Sequence, residues 1–377
     1  MMNFFIFRLV EIYEMIKYTF ICICILILSA CKQYTTQSQN TSWVKNQLSI
    51  SQAYDAYLGQ SQKRTAQPSS LSQSSSQSLW KLSASKMRMN LQSKRPRVAT
   101  QITNFINNPQ FVKNSSYRAQ PYFHYVLKSV LEKGLPAELA LLPFIESGYN
   151  QMATSTAHAV GAWQFIESTG KQYGLKNNLW YDARRDIIAS TQAALTLLDD
   201  LNKNFKGDWL LALAAYNCGS QCVKNAIKKN ERAGKATDFW SLPLPRETRH
   251  YVPKFLAIAT VIKHADRLSI TLAPLSNQRY FSIVRFNGRV DLRELAVTSG
   301  ISTDKLFSLN AGYKLKQTNP SGTHRLIIPI SKANSLKQNL AKLVSNNQVS
   351  IKAMNAKATN NSVIAPFQST SQKPISL

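Results

Sequence analysis

The chain has 377 residues, of which 46 are Lys or Arg and 19 are Asp or Glu, so its net charge is +27. This length allows two or three domains with at least one buried core, and a hydrophobic fraction of 44% excludes disorder of the whole chain. A polytopic membrane protein is excluded because the one continuous apolar run lies at the N-terminus. The charge implies an anionic partner: nucleic acid, lipid or a cell-wall polymer.

The apolar run near the N-terminus predicts export from the cytoplasm. Residues 18–30 read YTFICICILILSA, which is short for a permanent membrane span, and Lys17 precedes them. The run ends in LSAC, which resembles a bacterial lipobox with Cys31 as the lipidated first mature residue. The alternative is a plain signal anchor with an accidental cysteine. We therefore expect residues 1–30 to be a signal peptide, with Met15 as a second candidate start.

An exported address changes the interpretation of the charge. The signal peptide contains two basic and two acidic residues, so the mature chain keeps the full +27. Outside the cytoplasm a basic protein meets lipid head groups or wall polymer more often than nucleic acid. Lys32, rather than Asp, follows Cys31, and this favours the periplasmic face of the outer membrane with an acyl anchor on Cys31.

Composition and periodicity then divide the chain after Cys31. Residues 31–78 are rich in Ser and Gln and predict a flexible tether. Residues 79–268 predict a mainly helical domain without a persuasive strand. Helices are expected at 121–133, 137–147 and 186–202, in the segment WLLALAAY capped by Asp208, and around Tyr251–Ile262.

The pattern changes after residue 279. YFSIVRF and HRLIIPI alternate like strands, and two short helical segments lie between them, each closed by Gly. This order predicts a compact βααβ module over residues 279–330. Residues 331–377 predict one weak helix around 336–343 and then a basic, largely disordered tail.

Glu146 is the first candidate for chemistry. It ends the apolar segment AELALLPFIES, and burial among apolar neighbours disfavours the charged form of a carboxyl group and raises its pKa. A general acid for glycoside cleavage needs such a pKa near neutral pH. By itself the signal is weak, since a Glu near a helix end is more often a solvated charge.

Four motifs in order strengthen this interpretation. They are ES at 146–147, GAWQF at 161–165, AYNCG at 215–219 and ETRHYVPK at 247–254. Together they resemble the soluble-type lytic transglycosylase family, over roughly residues 79–330. The resemblance implies a lysozyme-like helical catalytic domain that acts on the glycan strands of peptidoglycan, without a cofactor or a metal and as a monomer.

The resemblance also implies a mechanism with a single carboxylate. Glu146 resembles the acid that protonates the glycosidic oxygen between N-acetylmuramic acid and N-acetylglucosamine. It then takes the proton of the muramoyl C6 hydroxyl, which attacks C1 of the same sugar and closes a 1,6-anhydro ring without consuming water. A typical glycosidase instead needs two carboxylates.

The other motif residues resemble the substrate cleft. Ser147 is expected to orient Glu146 or else only to cap its helix, and the amides of Gln164 and Asn217 suit sugar acetamido and hydroxyl groups. Tyr216 and Tyr251 are expected to bind sugar faces and hold Glu146 through their hydroxyls, or to pack in the core.

Three features depart from the family pattern or stay open. Glu167 stands where the family often has Pro, and a solvated charge is the simpler interpretation. Cys218 and Cys222 can pair in an oxidising compartment, although so short a loop demands an unusual turn. The 279–330 module resembles LysM by Asn310-Ala311-Gly312 and its closing LIIP, but it lacks the usual Gly-Asp-Thr-Leu turn, which leaves glycan affinity open.

Three other functions are alternatives to the transglycosylase interpretation. A goose-type lysozyme-like hydrolase would use water and leave reducing ends. A non-catalytic peptidoglycan-binding lipoprotein would keep the fold without the reaction, but the intact Glu146-Ser147 pair argues against it. A nucleic-acid binder is disfavoured by the exported address and the lack of recognition motifs.

Overall fold

A computed structural model of the chain describes residues 78–346. The predicted signal peptide, the lipidation site Cys31, nearly all of the tether 31–78 and the tail beyond residue 346 lie outside the described residues. Within 78–346, none of the helices combines the length and apolarity that a membrane span requires.

Ten α-helices and a 3₁₀ segment occupy residues 79–263. In chain order they are α1 (Leu79–Ser85), α2 (Pro96–Asn107), α3 (Pro109–Ala119), α4 (Phe123–Glu132), the 3₁₀ segment (Ala137–Leu141), α5 (Leu142–Ser147), α6 (Glu167–Gln172), α7 (Ile187–Asn204), α8 (Trp209–Cys218), α9 (Ser220–Arg232) and α10 (Arg246–Lys263).

A small sheet and three helices follow. They are β1 (Phe281–Asn287), α11 (Leu292–Thr298), α12 (Thr303–Leu309), β2 (Thr323–Pro329) and, after a 3₁₀ turn (Ile330–Lys332), α13 (Ala333–Asn346). The two strands pair antiparallel, with Phe281 opposite Pro329 and Asn287 opposite Thr323. The predicted fold class, mainly α with a βααβ module, is confirmed.

The described chain forms two compact units, and these do not follow chain order. The first contains the described residues up to Gln120, with Val126–Tyr149 and Leu195–Asn277. The second contains Pro121–Tyr125, Asn150–Ala194 and the described residues from Gln278 onward. Part of the predicted helical domain 79–268 therefore clusters with the βααβ module.

Helix α10 is the centre of the first unit. It contacts α1, α2, α5, α8 and the 3₁₀ segment. Its C-terminal half is apolar on all sides, and residues 255–259 are fully buried. Burial all round is what such a sequence predicts for a central helix. The N-terminal half of α10 is more polar, and this half carries the motif residues.

The predicted cap of α8 is confirmed. The Asp208 side chain accepts hydrogen bonds from the backbone N–H groups of Leu210 (2.8 Å) and Leu211 (3.1 Å). Two donors that the first turn of a helix leaves unpaired are thereby satisfied. The cap fixes where α8 begins and so which residues stand at its far end.

The predicted single helix at 137–147 is wrong in one respect. The segment is a 3₁₀ turn over Ala137–Leu141 followed by the separate helix α5. Pro143 lies in the first turn of α5, where its missing N–H costs nothing, whereas in a helix interior it would remove a hydrogen bond. Gly148 ends α5 in the left-handed conformation at φ +60°, so Glu146 stands in the last turn.

Helix α13 belongs to the core of the βααβ module. Leu336 and Leu340 are almost fully buried and pack in one cluster with Leu292, Leu295 and Leu326. The predicted weak helix at 336–343 is therefore longer, and the boundary expected at residue 330 leaves out part of this core. A two-stranded sheet is marginal alone, and the additional helix supplies the missing apolar surface.

Candidate active site

Glu146 and Tyr251 meet where α5 contacts α10. The Tyr251 hydroxyl donates a hydrogen bond to Oε1 of Glu146. Both residues are partly buried. Helix α10 holds the tyrosine in place, because Val252 and Phe255, which follow it in the helix, are fully buried.

The environment of Glu146 favours its neutral form. The pKa of Glu146 is raised to about 7, mainly by burial and to a smaller extent by the negative charge of Glu247, although the Tyr251 hydrogen bond and the positive charge of Lys254 lower it. Burial is the largest of these causes. Desolvation penalises the ionised carboxylate more than these two partners compensate. The group can therefore both give and accept a proton near neutral pH.

Tyr216, at the end of α8, shares this site. Burial and the nearby charge of Glu146 both raise the pKa of the Tyr216 phenol well above its ordinary value. The same two causes raise the pKa of Tyr251. Both phenols therefore stay protonated at neutral pH, and Tyr251 remains a hydrogen-bond donor to the carboxyl group.

Asn217 is held in one orientation by α10. Its Oδ1 accepts from the Thr248 hydroxyl at 2.7 Å, and its Nδ2 donates to Oε1 of Glu247 at 3.2 Å. These bonds fix which end of the amide carries the donor, and they couple the motif AYNCG to the motif ETRHYVPK.

Sequence reasoning missed three residues of this site: Glu247, Thr248 and Lys254. All three lie in the stretch ETRHYVPK, from which only Tyr251 was assigned a role. Glu247, Tyr251 and Lys254 follow the spacing i, i+4, i+7, which places them on one face of a helix. This spacing indicates in the sequence that Glu247 and Lys254 lie on the same helix face as Tyr251.

Ser147 bonds within its own helix. Its hydroxyl donates to the carbonyl oxygen of Pro143 at 3.4 Å, one turn earlier. Its predicted role in orienting Glu146 stays a prediction.

Gln164 belongs to the second compact unit, so the structure groups it separately from Glu146. It has φ +50°, and its Nε2 donates to the Gly161 carbonyl at 2.8 Å. Beside it, Trp163 is fully buried and donates from Nε1 to the Thr191 hydroxyl at 2.9 Å. The tight turn at Gly161 and the buried indole of Trp163 thus hold Gln164 between them.

Replacing Gly161 by Ala is expected to destabilise the protein by about 1–3 kcal/mol. Gly161 has φ +81°, and an added Cβ would overlap the carbonyl oxygen of Arg184. Chemical denaturation measures the free energy of unfolding. Gly134→Ala is the matched control, because Gly134 has φ +67° with open space around it. An equal loss in both variants would remove the Arg184 contact as a cause.

The structure joins Cys218 and Cys222 in a disulfide with 5.9 Å between the Cα atoms. Gly219 lies inside this loop at φ +89° and separates α8 from α9. Only glycine adopts such a backbone conformation readily, so the unusual turn that a short loop demands is present. The bridge begins next to Asn217.

The described residues bring together groups that are suited to acid–base chemistry. Between residues 78 and 346 no group of three or more His, Cys, Asp or Glu side chains could hold a metal ion. The arrangement joins one carboxyl group of raised pKa, two protonated phenols and one fixed amide, which suits proton transfer to a bound substrate.

Two family models match separate parts of this chain. Residues 128–239 match the family model of the transglycosylase SLT domain. Residues 280–345 match the LysM-like domain of lytic transglycosylase MltD, and this range includes α13. Glu146, Tyr216 and Asn217 lie inside the SLT match, whereas Tyr251 follows it.

Several named proteins are similar to parts of this chain. Membrane-bound lytic murein transglycosylase D of Escherichia coli K12 is 41% identical over 263 residues, which are 70% of this chain and 58% of that protein. A putative tributyltin chloride resistance protein of Alteromonas is 46% identical over 30% of this chain and 54% of its own length. The solved lytic transglycosylase Slt of Pseudomonas aeruginosa is 24% identical over 40% of this chain and 24% of that chain, with a TM-score of 0.30. The chain thus spans less than two thirds of each relative.

Proposed function

We propose that this protein is a lytic transglycosylase that cleaves the β-1,4 bond between N-acetylmuramic acid and N-acetylglucosamine in peptidoglycan. The observation that carries the proposal is a carboxyl group, Glu146, whose pKa is raised to about 7 and which accepts a hydrogen bond from Tyr251. The SLT match and the 41% identity to a lytic murein transglycosylase support the substrate class.

In this reaction Glu146 takes part in two successive proton transfers. As an acid it protonates the glycosidic oxygen while the bond to the muramoyl C1 breaks. As a base it then takes the proton of the C6 hydroxyl, whose oxygen bonds to C1 and closes the 1,6-anhydro ring. The nucleophile belongs to the same sugar and reacts at high effective concentration. A pKa near 7 suits both steps, since neither protonation state is costly to reach.

The residues around Glu146 have two roles: Tyr251 orients the acid, and the others bind the substrate. Tyr251 keeps Oε1 of Glu146 occupied, which leaves the other oxygen of the carboxyl group for the glycosidic oxygen. Asn217, fixed by Thr248 and Glu247, offers an amide suited to an acetamido or hydroxyl group of the sugar. We propose the same recognition role for Tyr216, Gln164 and Ser147.

A hydrolase remains the second candidate, because Glu247 lies close enough for its charge to raise the pKa of Glu146. A goose-type lysozyme-like enzyme would need such a second group to activate water. However, Glu247 accepts a hydrogen bond from Asn217, and a role in orienting that amide explains this carboxylate without water activation.

Digestion of purified sacculi followed by mass spectrometry separates the candidates. Transglycosylation gives 1,6-anhydro-muropeptides, which are lighter by one water than the hydrolysis products and lack a reducing end. Reducing ends as the main product would favour the hydrolase, and the absence of release would favour a binding protein.

Tyr251→Phe is expected to move the basic limb of the pH–rate profile upward. The Tyr251 hydroxyl lowers the pKa of Glu146, so its loss leaves the carboxyl group protonated to higher pH. We also expect kcat/KM at neutral pH to fall about tenfold to a hundredfold, because the acid loses its orientation. Tyr117→Phe, on the exposed side of α3, is the control. A limb that stays in place would exclude the hydrogen bond as a determinant of this pKa.

We propose a location at the periplasmic face of the outer membrane, with a lipid anchor on Cys31 and with the Cys218–Cys222 bridge formed in that oxidising compartment. The membrane-bound relative supports association with the cell envelope. For the domains we propose a catalytic region within 79–268 and a LysM-like module from 279. The match to residue 345 supports a module that extends beyond 330.

A further inference from the structure

Asp186, just before α7, has a carboxylate with five donors. Oδ1 accepts from the backbone N–H groups of Ile188 (2.7 Å) and Ala189 (3.1 Å). Oδ2 accepts from Nη2 and Nε of Arg325 at 2.6 and 3.2 Å and from the Tyr181 hydroxyl. The Asp186 side chain is 7% exposed and the Arg325 side chain 27%, so the carboxylate is buried with both of its oxygens hydrogen-bonded, while its partner reaches the surface.

Arg325 comes from the LysM-like module. It lies on β2, and its carbonyl accepts from the Tyr313 hydroxyl at 2.7 Å. The Tyr313 ring lies 4.9 Å from the ring of Tyr181 in an edge-to-face contact, and a Cβ added at Gly312 would lie only 2.6 Å from a carbon of the Tyr181 ring. The Asp182 N–H donates to the Gly312 carbonyl at 2.9 Å. The loop at Asn310-Ala311-Gly312, which resembles LysM, therefore packs against Tyr181 and Asp182, which lie in the SLT match and in the same compact unit.

A continuous set of contacts leads from this ion pair to Gln164. Asp186 caps α7, and Thr191 in the second turn of α7 accepts the hydrogen bond of the buried Trp163 indole. Trp163 precedes Gln164, whose amide donates back to Gly161. Each link is buried or hydrogen-bonded, so we expect a shift of α7 at its N-terminus to move the Gln164 turn with it.

We propose that Arg325 is a positioning residue for Gln164, and that the LysM-like module braces residues 150–194 instead of acting as a separate glycan-binding arm. This inference rests on the proposed function, in which Gln164 binds the sugar. Removing Arg325 leaves a buried carboxylate without its charge partner, which a buried pair tolerates poorly.

Arg325→Met in the full chain tests the brace. We expect kcat/KM on sacculi to fall about tenfold to a hundredfold, with the loss in KM and with the pH profile of kcat unchanged, because Glu146 keeps its surroundings. Arg285→Met is the matched control: Arg285 stands directly opposite Arg325 in the sheet and is exposed. Unchanged KM in Arg325→Met, or an equal loss in Arg285→Met, would overturn the proposal.

A double-mutant cycle shows whether Arg325 acts through Gln164. If it does, Arg325→Met combined with Gln164→Ala loses no more activity than Gln164→Ala alone. Losses that multiply would mean separate effects and would overturn the positioning role. Arg325→Lys, which keeps the charge, is expected to recover most of the activity; failure to recover in a protein of normal melting temperature counts against the ion pair.

Hydrogen exchange separates this proposal from the proposed function, because it needs no activity. Amides of residues 161–165 are expected to exchange faster in Arg325→Met than in Arg285→Met. If the wild-type protein cleaves no peptidoglycan, the proposed function fails, yet the faster exchange still supports the brace. Equal exchange in both variants overturns the brace even if the enzyme is active.

Discussion

Glu146→Gln is expected to lower the rate of peptidoglycan cleavage by about 10²- to 10⁴-fold, the range that a general acid–base contributes. Glutamine has nearly the shape of glutamate and can still accept the Tyr251 hydrogen bond, but it can neither donate the acidic proton nor take one. Release of anhydro-muropeptides from purified sacculi measures the rate. Sedimentation with sacculi is expected to stay as in the wild type, because binding does not need the proton.

Glu132→Gln is the matched control for this variant. Glu132 is exposed and pairs with Lys128 one turn away in α4 at 3.5 Å, an ion pair of the kind that contributes little. Its rate is expected to match the wild type. A Glu146→Gln protein that keeps its melting temperature and cleaves at the wild-type rate would remove Glu146 from the mechanism.

The rate of cleavage is expected to fall about tenfold for each pH unit above about pH 7 and to level off below it. The pKa of Glu146 is about 7, and the first step uses the protonated acid. Raising the pH above the pKa removes one proton from the reactive form, so log kcat/KM declines with a slope of about −1. A solvated Glu would place this decline near its ordinary pKa, which is below pH 5.

Initial rates on soluble glycan fragments across pH 4–9 measure this profile, with constant ionic strength because the substrate and the basic protein are both charged. Melting temperatures at each pH show that the enzyme stays folded. A flat profile from pH 5 to pH 9 would contradict a raised pKa, as would a decline that begins near pH 4.

Much of the fold could be predicted because local signals agreed with the final packing. The Asp208 cap, the largely apolar helix α8 and the alternation in β1 and β2 each depend on residues that are neighbours in sequence. Glu146 could be singled out for the same reason, since the apolar residues that desolvate it precede it in the chain. Its grouping with Tyr216 and Tyr251 relied on the motif order rather than on any local pattern.

What could not be predicted depends on distant residues or on competing local rules. Arg325 and Asp186 are 139 residues apart, and nothing in either segment indicates a partner. The end of the 3₁₀ segment and the start of α5 near Pro143 were not predicted, because the helical spacing of apolar residues continues through the proline. A new helix with proline in its first turn fits both the spacing and the proline. Helix α13 is polar on most faces and gains its stability from the module core, which its own sequence does not reveal.

A direct titration of Glu146 tests the central claim most closely. Carbon-13 NMR of glutamate carboxyl groups, with the signal of Glu146 identified by its disappearance in Glu146→Gln, gives the midpoint without reference to activity. We predict a midpoint at about pH 7, with a shift to higher pH in Tyr251→Phe. A midpoint near 4.5, the ordinary value for this group, would contradict the account.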